Sequence, residues 1–411
     1  MKKRKILAVL LASMLLISLV GCSANQPAKE EPKEAQGKYK DGIYFAQEDK
    51  FSETSGWKYV VTLEVKDGKI AKADWNGAQV TGGPSKKDFS KLGQYPMVEQ
   101  GGAKAPWHEQ AAIVEAYLIE KQDPSAITYK EDNYHTDDIA GATIGVSPLF
   151  KLAEKALANG PVEPGKYKDG AYYAQEKGYT KDWKYTASLT VINGYIVAAD
   201  WNGLNVKGGK EKDTLSADGE YGLMAKGGAQ AEWHEQAQKA EAYLLEKQDP
   251  TAISYKDDAG HTDDIAGATI HVIEFFDIAK QALDNGPIPT GSYKDGFYFN
   301  EEKEFASNGW KYTVNIAVKN GTIAAVDWSG VHQDGGVDKD TLSASGEYGL
   351  VAKGGAQAEW HEQAAKAEAY LLETQDPTKI SYIDEDGHTD DIAGVSIHVI
   401  EFFKLAEEVL K

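Results

Sequence analysis

The run His135-Thr-Asp-Asp-Ile-Ala-Gly-Ala-Thr143 occurs almost unchanged three times in this chain of 411 residues. It is repeated identically at His261–Thr269, and a third copy, His388–Ser396, keeps the first seven residues but ends Val395-Ser396. Successive copies begin 126 and 127 residues apart, which is about the length of a small domain. The spacing therefore indicates whole domains in tandem, because solenoid units are only about 20–50 residues long.

A sequence typical of a helix follows each copy of the run. In the second copy, Ile270–Leu283 places Ile270, Ile273, Phe276 and Leu283 on one face. The hydroxyl residue would therefore lie at or near a helix start, after a glycine that permits a tight turn. Free N–H groups and the positive end of the helix dipole make such a place favourable for a phosphate.

Three units can be separated along the chain, at residues 37–160, 161–286 and 287–411. Their junctions, Asn159-Gly160-Pro161 and Asn285-Gly286-Pro287, are signals for the end of a helix. Each unit also opens with the same four residues, first seen as Tyr39-Lys40-Asp41-Gly42. The repeat therefore covers the whole of each unit.

Strands precede helices within a unit. Trp57–Val65 alternates in character, turns at Asp67-Gly68 and resumes towards Trp75, which predicts a hairpin. A glycine-rich segment and a helix such as Ala231–Lys247 follow, and then the repeated run. We therefore expect an α+β fold of three tandem small domains, each an antiparallel sheet with helices packed against it.

The pattern Asp-x-x-x-Gly-Ala-Thr before a helix resembles the attachment motif of the FMN-binding domain found in subunits of bacterial ion-pumping oxidoreductases. In that family a flavin transferase joins FMN to the threonine hydroxyl through a phosphodiester. Members usually carry Ser or Thr before the glycine, whereas Ala140, Ala266 and Ala393 stand there in this chain. The resemblance implies FMN on Thr143 and Thr269. Because Val395 would crowd Ser396, we expect slow, partial or no attachment in the third copy.

The resemblance also implies which neighbours contact the cofactor. Asp137 and Asp263 lead the motif, and we expect the transferase to recognise them. Asp138, Asp264 and Asp391 are candidates for capping the helix, because an aspartate accepts backbone N–H bonds at a helix start. The complete set of expected loop contacts is Thr143, Thr269, Ser396, Asp137, Asp138, Gly141, Ala142, Asp263, Asp264, Gly267, Ala268, Asp390, Asp391 and Gly394.

All nine tryptophans fall at three equivalent positions in each unit. Trp75, Trp201 and Trp328 end a strand, where an aromatic ring can stack on a planar cofactor or simply pack in the core. Trp-His-Glu-Gln opens a helix in each unit and brings His108, His234 and His361 beside a glycine-rich loop. Both sets are candidates for contact with the isoalloxazine ring.

A metal site in the repeated run is a weaker alternative. His135 precedes two aspartates by two residues, but this spacing is not typical of zinc sites and no cysteine is nearby. We therefore predict no metal ligands. No nucleophile elbow, phosphate-binding loop or dinucleotide fingerprint is present, so hydrolase and nucleotide-driven functions have no support.

The amino terminus has the features of a lipoprotein signal peptide. Four basic residues, the short apolar stretch 6–20 and the box Leu19-Val-Gly-Cys22 predict cleavage of residues 1–21 and lipidation of Cys22, the only cysteine. Residues 22–36 are rich in Pro, Lys and Glu, which is typical of a disordered tether. The expected location is the outer face of the cell membrane.

The chain is strongly acidic. Without the four basic residues of 1–21, it has 40 basic against 64 acidic residues, a formal net charge of −24. This charge argues against a nucleic-acid partner and against a chain that lies flat on anionic lipid.

Taken with the anchor, the family resemblance implies a surface flavolipoprotein of Gram-positive extracellular electron transfer. Such a protein is a redox carrier more than an enzyme with its own substrate. Its expected partners are a flavin transferase, an electron donor in the membrane and an outside acceptor such as ferric iron. The alternative is a tandem surface module for binding or adhesion without a cofactor, which abundant Tyr and Trp would also suit.

Overall fold

The computed structural model describes residues 37–411 and shows three similar α+β units. The expected fold class is therefore confirmed. The predicted signal peptide, Cys22 and the predicted tether lie outside the described residues. No helix within residues 37–411 combines the length and the apolar character needed to cross a membrane.

The first unit contains three strands and then three helices. They are β1 (Gly42–Gln47), β2 (Trp57–Lys66), β3 (Lys69–Gln79), α1 (Lys86–Lys91), α2 (Trp107–Lys121) and α3 (Ser147–Asn159).

The second and third units add a short helix before the long one. The second unit consists of β4 (Gly170–Gln175), β5 (Trp183–Ile192), β6 (Tyr195–Asn205), α4 (Lys212–Ala217), α5 (Leu223–Gly227), α6 (Trp233–Lys247) and α7 (Ile273–Asn285). The third consists of β7 (Gly296–Glu301), β8 (Trp310–Lys319), β9 (Thr322–His332), α8 (Lys339–Ala344), α9 (Leu350–Gly354), α10 (Trp360–Thr374) and α11 (Ile400–Leu410).

Each sheet is an antiparallel meander in which the middle strand pairs with both neighbours. The predicted hairpin turn is present: Asp67 and Gly68 both have positive φ, at 52° and 69°, as a tight two-residue hairpin turn requires. Asp41, from the opening four residues, accepts a bond from the Gly68 N–H at 2.8 Å. Asn193-Gly194 and Asn320-Gly321 form the same turn in the other units.

The long helix closes the exposed edge of the last strand. Gln122, just after α2, accepts from the Ile70 N–H at 2.8 Å and donates to the Ile70 carbonyl at 2.8 Å. Glu115 accepts from the Trp75 N–H at 2.6 Å. An open strand edge offers unpaired backbone groups to other chains, and these side chains occupy them. Gln248, Glu241, Gln375 and Glu368 repeat the arrangement.

The opposite faces of the sheets join the units to one another. Val60 and Ala78 of the first unit share a buried cluster with Ile192 and Val197 of the second. Tyr173 of the second shares another with residues of the third, including Ala317. The described part of the chain is therefore packed across unit boundaries.

One buried charge position differs between the copies. In the first unit the Lys87 ammonium bridges Asp74 at 2.5 Å and Glu115 at 2.7 Å. Asp213 and Asp340 replace this lysine in the other two units. In the third unit, Asp327 instead pairs at 2.5 Å with Lys184 of the second unit, and both side chains are buried. The third unit therefore uses a cation from a neighbour.

Candidate functional site

The repeated run forms a loop between the two long helices of each unit. Thr143 lies four residues before α3 begins at Ser147, and the other two copies have the same spacing before α7 and α11. The helix thus starts later than the sequence suggested, and the hydroxyl is not in its first turn. A phosphate on Thr143 would lie beside the loop, outside the set of free N–H groups at that helix end.

A glutamine holds the hydroxyl residue in place. Gln110, on the first turn of α2, accepts from the Thr143 N–H at 2.7 Å and from the Thr143 hydroxyl at 3.1 Å. Its own amide N–H₂ donates to the Ala105 carbonyl at 2.9 Å, which fixes the carbonyl end towards the loop. Gln110 is buried, whereas Thr143 is exposed.

The same contacts recur in the other copies. Gln236 accepts from Thr269 at 2.7 and 3.1 Å, and Gln363 accepts from Ser396 at 2.7 and 3.2 Å. The sequence offered a signal for this role, because the glutamine closes each Trp-His-Glu-Gln run. The hydroxyl proton points to Gln110, which leaves oxygen lone pairs available at the surface.

The second aspartate of the motif secures the loop and does not cap the helix. Asp138 accepts from the Thr128 N–H at 2.7 Å, and Thr136 donates its hydroxyl to the Thr128 carbonyl at 2.6 Å. Asp264 and Asp391 bond to Ser254 and Ser381 in the same way. The expected capping role is therefore wrong, because these carboxylates are occupied by the preceding segment.

The first aspartate remains available to solvent. The Asp137 side chain is 86% exposed and pairs with Lys130 at 2.7 Å, and Asp263 pairs with Lys256 at 3.1 Å. Ile383 takes the lysine position in the third copy, beside Asp390. An open pocket of about 510 Å³ adjoins the loop and is lined by Lys130, His135, Asp137, Gly141, Ala142 and Thr143, among others. This volume is within the range of small-molecule sites.

A lysine beside the glycine is a feature that sequence reasoning missed. The Lys239 ammonium donates to the Gly267 carbonyl at 3.0 Å, and Lys366 donates to Gly394 at 3.1 Å. Ile113 occupies this position in the first copy. The lysines lie one helical turn after Gln236 and Gln363, so the signal was present in the helix spacing. Each brings a positive charge to the loop that carries the hydroxyl.

The strand-end tryptophans are core residues. Trp75, Trp201 and Trp328 are 0% exposed. Trp201 stacks on Phe275 with 5.4 Å between centroids and meets the Trp233 ring edge to face at 5.2 Å. Because neighbouring side chains cover these rings, they present no surface to a flavin in this arrangement. Their indole N–H groups nevertheless lack a hydrogen-bond partner within residues 37–411.

The histidines of the Trp-His-Glu-Gln runs form contacts at the helix start. His108 Nδ1 lies 2.9 Å from the Ser90 hydroxyl oxygen, which also accepts from the His108 N–H at 3.2 Å. His234 pairs with Ser216, and His361 with Ser343, at the same 2.9 Å. These histidines are partly exposed, and the serine fixes the ring that each one presents.

Histidines of the repeated run lie against nearby aspartates. His135 Nδ1 is 2.7 Å from an Asp132 oxygen. Among residues 37–411, one group, Asp384, Asp386 and His388, has ligand atoms close enough together for a metal ion. Both aspartates in it are exposed, and the other copies do not reproduce the group. The residues of the repeated run therefore give no repeated metal site.

An aromatic cage surrounds a buried lysine in every unit. The Lys86 ammonium lies 4.3 Å from the Trp57 ring centroid and 4.2 Å from that of Tyr95. Burial lowers the pKa of Lys86 to about 7. Lys212 and Lys339 occupy equivalent cages, with the pKa lowered to about 8 and about 7. Cation–π contact partly compensates the buried charge.

The aromatic side chain between the lysine cage and the repeated run comes from a different sequence position in the first unit than in the other two. In the first copy the Tyr134 ring fills the space above Gly145, where a Cβ atom would lie 1.7 Å from the ring. The other copies have glycine in place of Tyr134 and histidine in place of Gly145. Those histidines, His271 and His398, pair with Glu274 and Glu401 at 2.6 and 2.8 Å. The ring at this place is thus Tyr134 in the first unit, His271 in the second and His398 in the third.

Comparisons with known proteins identify relatives of a single unit. No family model and no curated protein matches the chain. A solution structure of a protein from Clostridium thermocellum is 58% identical over 29% of this chain and 91% of that protein, with a TM-score of 0.25. A crystal structure of a Clostridium perfringens protein is 29% identical over 30% of this chain and 88% of that protein, with a TM-score of 0.24.

On sequence identity, the chain belongs to the same family as the C. thermocellum protein. The descriptions of both clostridial proteins name no activity, ligand or partner. The comparisons therefore give the chain a family but no function.

Tyr134 and Gly145 should be replaceable by the glycine and histidine of the other units only when both residues are changed together. Gly145→His alone places a side chain into the Tyr134 ring, and we expect a loss of ~1–3 kcal/mol in the free energy of unfolding. Tyr134→Gly with Gly145→His should recover most of this loss. Differential scanning calorimetry of Gly145→His, Tyr134→Gly and the double variant gives the coupling between the two positions, and additive losses would contradict the steric argument.

The caged lysines should make stability depend on pH. Between about pH 7 and 10 the unfolded lysine keeps a proton that the folded lysine has released, so folding is favoured as pH rises. Lys339→Met should therefore stabilise the protein most at pH 7 or below, with the gain shrinking towards pH 10. Urea unfolding at several pH values measures this, with Lys353→Met as the exposed control. A gain independent of pH would show that the lysine is charged when folded.

Proposed function

We propose that this protein is a membrane-anchored extracellular electron carrier with FMN linked covalently to Thr143 and Thr269. The observation that carries the proposal is the exposed hydroxyl that a buried glutamine holds in the same geometry in all three units. The family resemblance of the loop supplies the chemistry. Bound FMN would accept and release electrons, while the protein supplies anchorage and orientation.

The residues at the linking position fit a phosphodiester. Gln110 fixes the Thr143 oxygen at the surface, and an exposed oxygen is accessible to a transferase. Gly141 and Ala142 place no large side chain beside the Thr143 hydroxyl. Lys239 and Lys366 place a cation beside the loop in two units, where it would balance a phosphate charge.

The isoalloxazine ring of FMN would not stack on the strand-end tryptophans that the sequence offered as candidates. Since Trp75, Trp201 and Trp328 are covered, an isoalloxazine would lie in the open pocket next to the loop, with His135 and the Asp137–Lys130 pair as its polar neighbours. Such a ring remains partly open to solvent. This position suits electron exchange with partners at the surface, such as a membrane donor and an outside acceptor like ferric iron.

Attachment at the first two copies can be tested directly. Thr143→Ala with Thr269→Ala should remove covalent flavin from both units, whereas both serine variants should retain it. The fold should persist because the backbone N–H of each residue still bonds to its glutamine. Intact mass and peptide mapping after co-expression with a flavin transferase measure the result. Flavin on neither threonine of the parent protein contradicts the proposal and favours a binding module without cofactor.

The third copy should behave differently. Ser396 keeps both bonds to Gln363, so its oxygen is equally well placed. However, Val395 is bulkier than the alanine of the other copies, and one extra pair of methyl groups at a recognition site typically costs ~1–3 kcal/mol. We expect two flavins in full and a third that is slow, partial or missing.

Restoring the motif supplies the control. Val395→Ala with Ser396→Thr should raise flavin content by about one equivalent. Three full equivalents in the parent protein would show that the transferase ignores this difference.

A further inference from the structure

The three units together line a partly open cavity that none of them contains alone. Its volume is about 410 Å³, and its lining comes from all three units. The first unit contributes Trp57, Gln79, Phe89 and Tyr95, the second contributes Asp200 and Glu211, and the third contributes Phe297 and Lys319, among others. The size is within the range of small-molecule sites.

Buried polar groups without partners line this cavity. Asp200 is 8% exposed, and its carboxylate makes no hydrogen bond with the residues that the structure describes. Lys319 is 7% exposed, and its ammonium lies over the Phe297 ring at 4.5 Å without an ion pair to residues 37–411. The Gln79 side-chain oxygen is also buried and unpaired. An unpaired buried polar atom is costly, and two further buried residues place charged groups without a hydrogen bond or an ion pair around the same space, so the site is suited to a polar occupant.

The lining is acidic on balance. Asp200 and Glu211 face Lys319 across the cavity, and Glu211 uses one oxygen to accept from Asn202 at 2.8 Å, which leaves its other oxygen available. A third carboxylate in the lining, Asp295, accepts from the Asn320 and Gly321 N–H groups at 2.8 and 2.7 Å. The remaining two carboxylates against one ammonium favour an occupant with one positive charge. Asp200, Glu211 and Gln79 together offer three acceptors, which is the number of N–H donors on a primary ammonium. The aromatic walls would cover an attached alkyl group.

Comparison of the copies gives independent support for a cation. At the position equivalent to Asp200, the first unit pairs Asp74 with Lys87, and the third pairs Asp327 with Lys184. Asp200 of the second unit has no ion pair of this kind among residues 37–411. The one aspartate of the three that makes no ion pair is thus the one that lines the cavity.

We propose that the junction of the three units is a binding site for a small organic ammonium ion, seated between Asp200, Glu211 and Gln79. The site does not depend on flavin attachment. It requires all three units, because its acceptors come from two of them and its far wall from the third.

The test uses propylammonium chloride as the probe and isothermal titration calorimetry on the chain from residue 37 onwards. We expect saturable binding, weakened about tenfold to a hundredfold by Asp200→Asn, since a hydrogen bond to a charged group is worth ~1.5–3 kcal/mol. Asp74→Asn is the matched control, because it changes the equivalent strand position outside the cavity and should bind as the parent does. Tetramethylammonium, which has no N–H donor, should bind more weakly than propylammonium.

A second readout protects the test against misfolding. Burial raises the pKa of Asp200 to about 8, and Glu211 and Asp213 act in the same direction while Lys319 opposes it. Glu241 on α6 also faces this carboxylate and has a raised pKa. Propylammonium should therefore bind more tightly as pH rises through about 8 and should release protons at pH 7. Glu211→Gln, which keeps the side-chain shape, should weaken binding in parallel with Asp200→Asn.

Three outcomes would overturn the proposal. One is the absence of propylammonium binding in a folded parent protein. Another is equal binding by Asp200→Asn and the parent. The third is a preference for acetate, which would assign the cavity to Lys319 and an anion.

Discussion

The hydrogen bonds from the long helix to the rest of its unit determine where the other parts can lie. Gln110 fixes the loop that carries Thr143, Glu115 pairs with the backbone of Trp75, and Gln122 closes the strand edge at Ile70. All three are polar side chains directed at backbone groups that would otherwise be unpaired. One helix therefore holds the loop and the sheet in a common frame, and a shift of that helix would move the hydroxyl and the strand together.

Local signals in the sequence predicted much of this architecture. Asp67-Gly68 and its equivalents gave the hairpin turns because only a few residue types accept positive φ at both positions. Trp107 does begin the long helix, as the Trp-His-Glu-Gln run suggested. The start of the last helix was misplaced because Gln236 takes the backbone N–H groups of Thr269 and Ile270 into side-chain bonds. A contact between residues more than thirty positions apart leaves no periodic signal in either segment.

The candidate site was less predictable than the fold. The hydroxyl and both aspartates were identified, but the roles of Asp137 and Asp138 depend on whether the preceding segment reaches them. The role of the strand-end tryptophans depends on their burial. Strand alternation alone does not distinguish a Trp75 that faces a cofactor from one that faces the core. The cage around Lys86 brings together Trp57 and Tyr95 from separate parts of the unit. Contacts of this kind between distant segments depend on tertiary packing, which cannot be read from the pattern of a single sequence.

The exchange of Lys87 for Asp213 and Asp340 has a consequence for the order in which the chain can mature. The first unit carries its own counter-charge and can complete its interior as soon as its last helix has been made. The second unit must wait, because Lys319, the cation that faces Asp200, is synthesised more than a hundred residues later. Domains generally fold in the order of synthesis. The second and third units thus complete their buried charge contacts only once the third unit is being made, whereas the first unit does not depend on either of them.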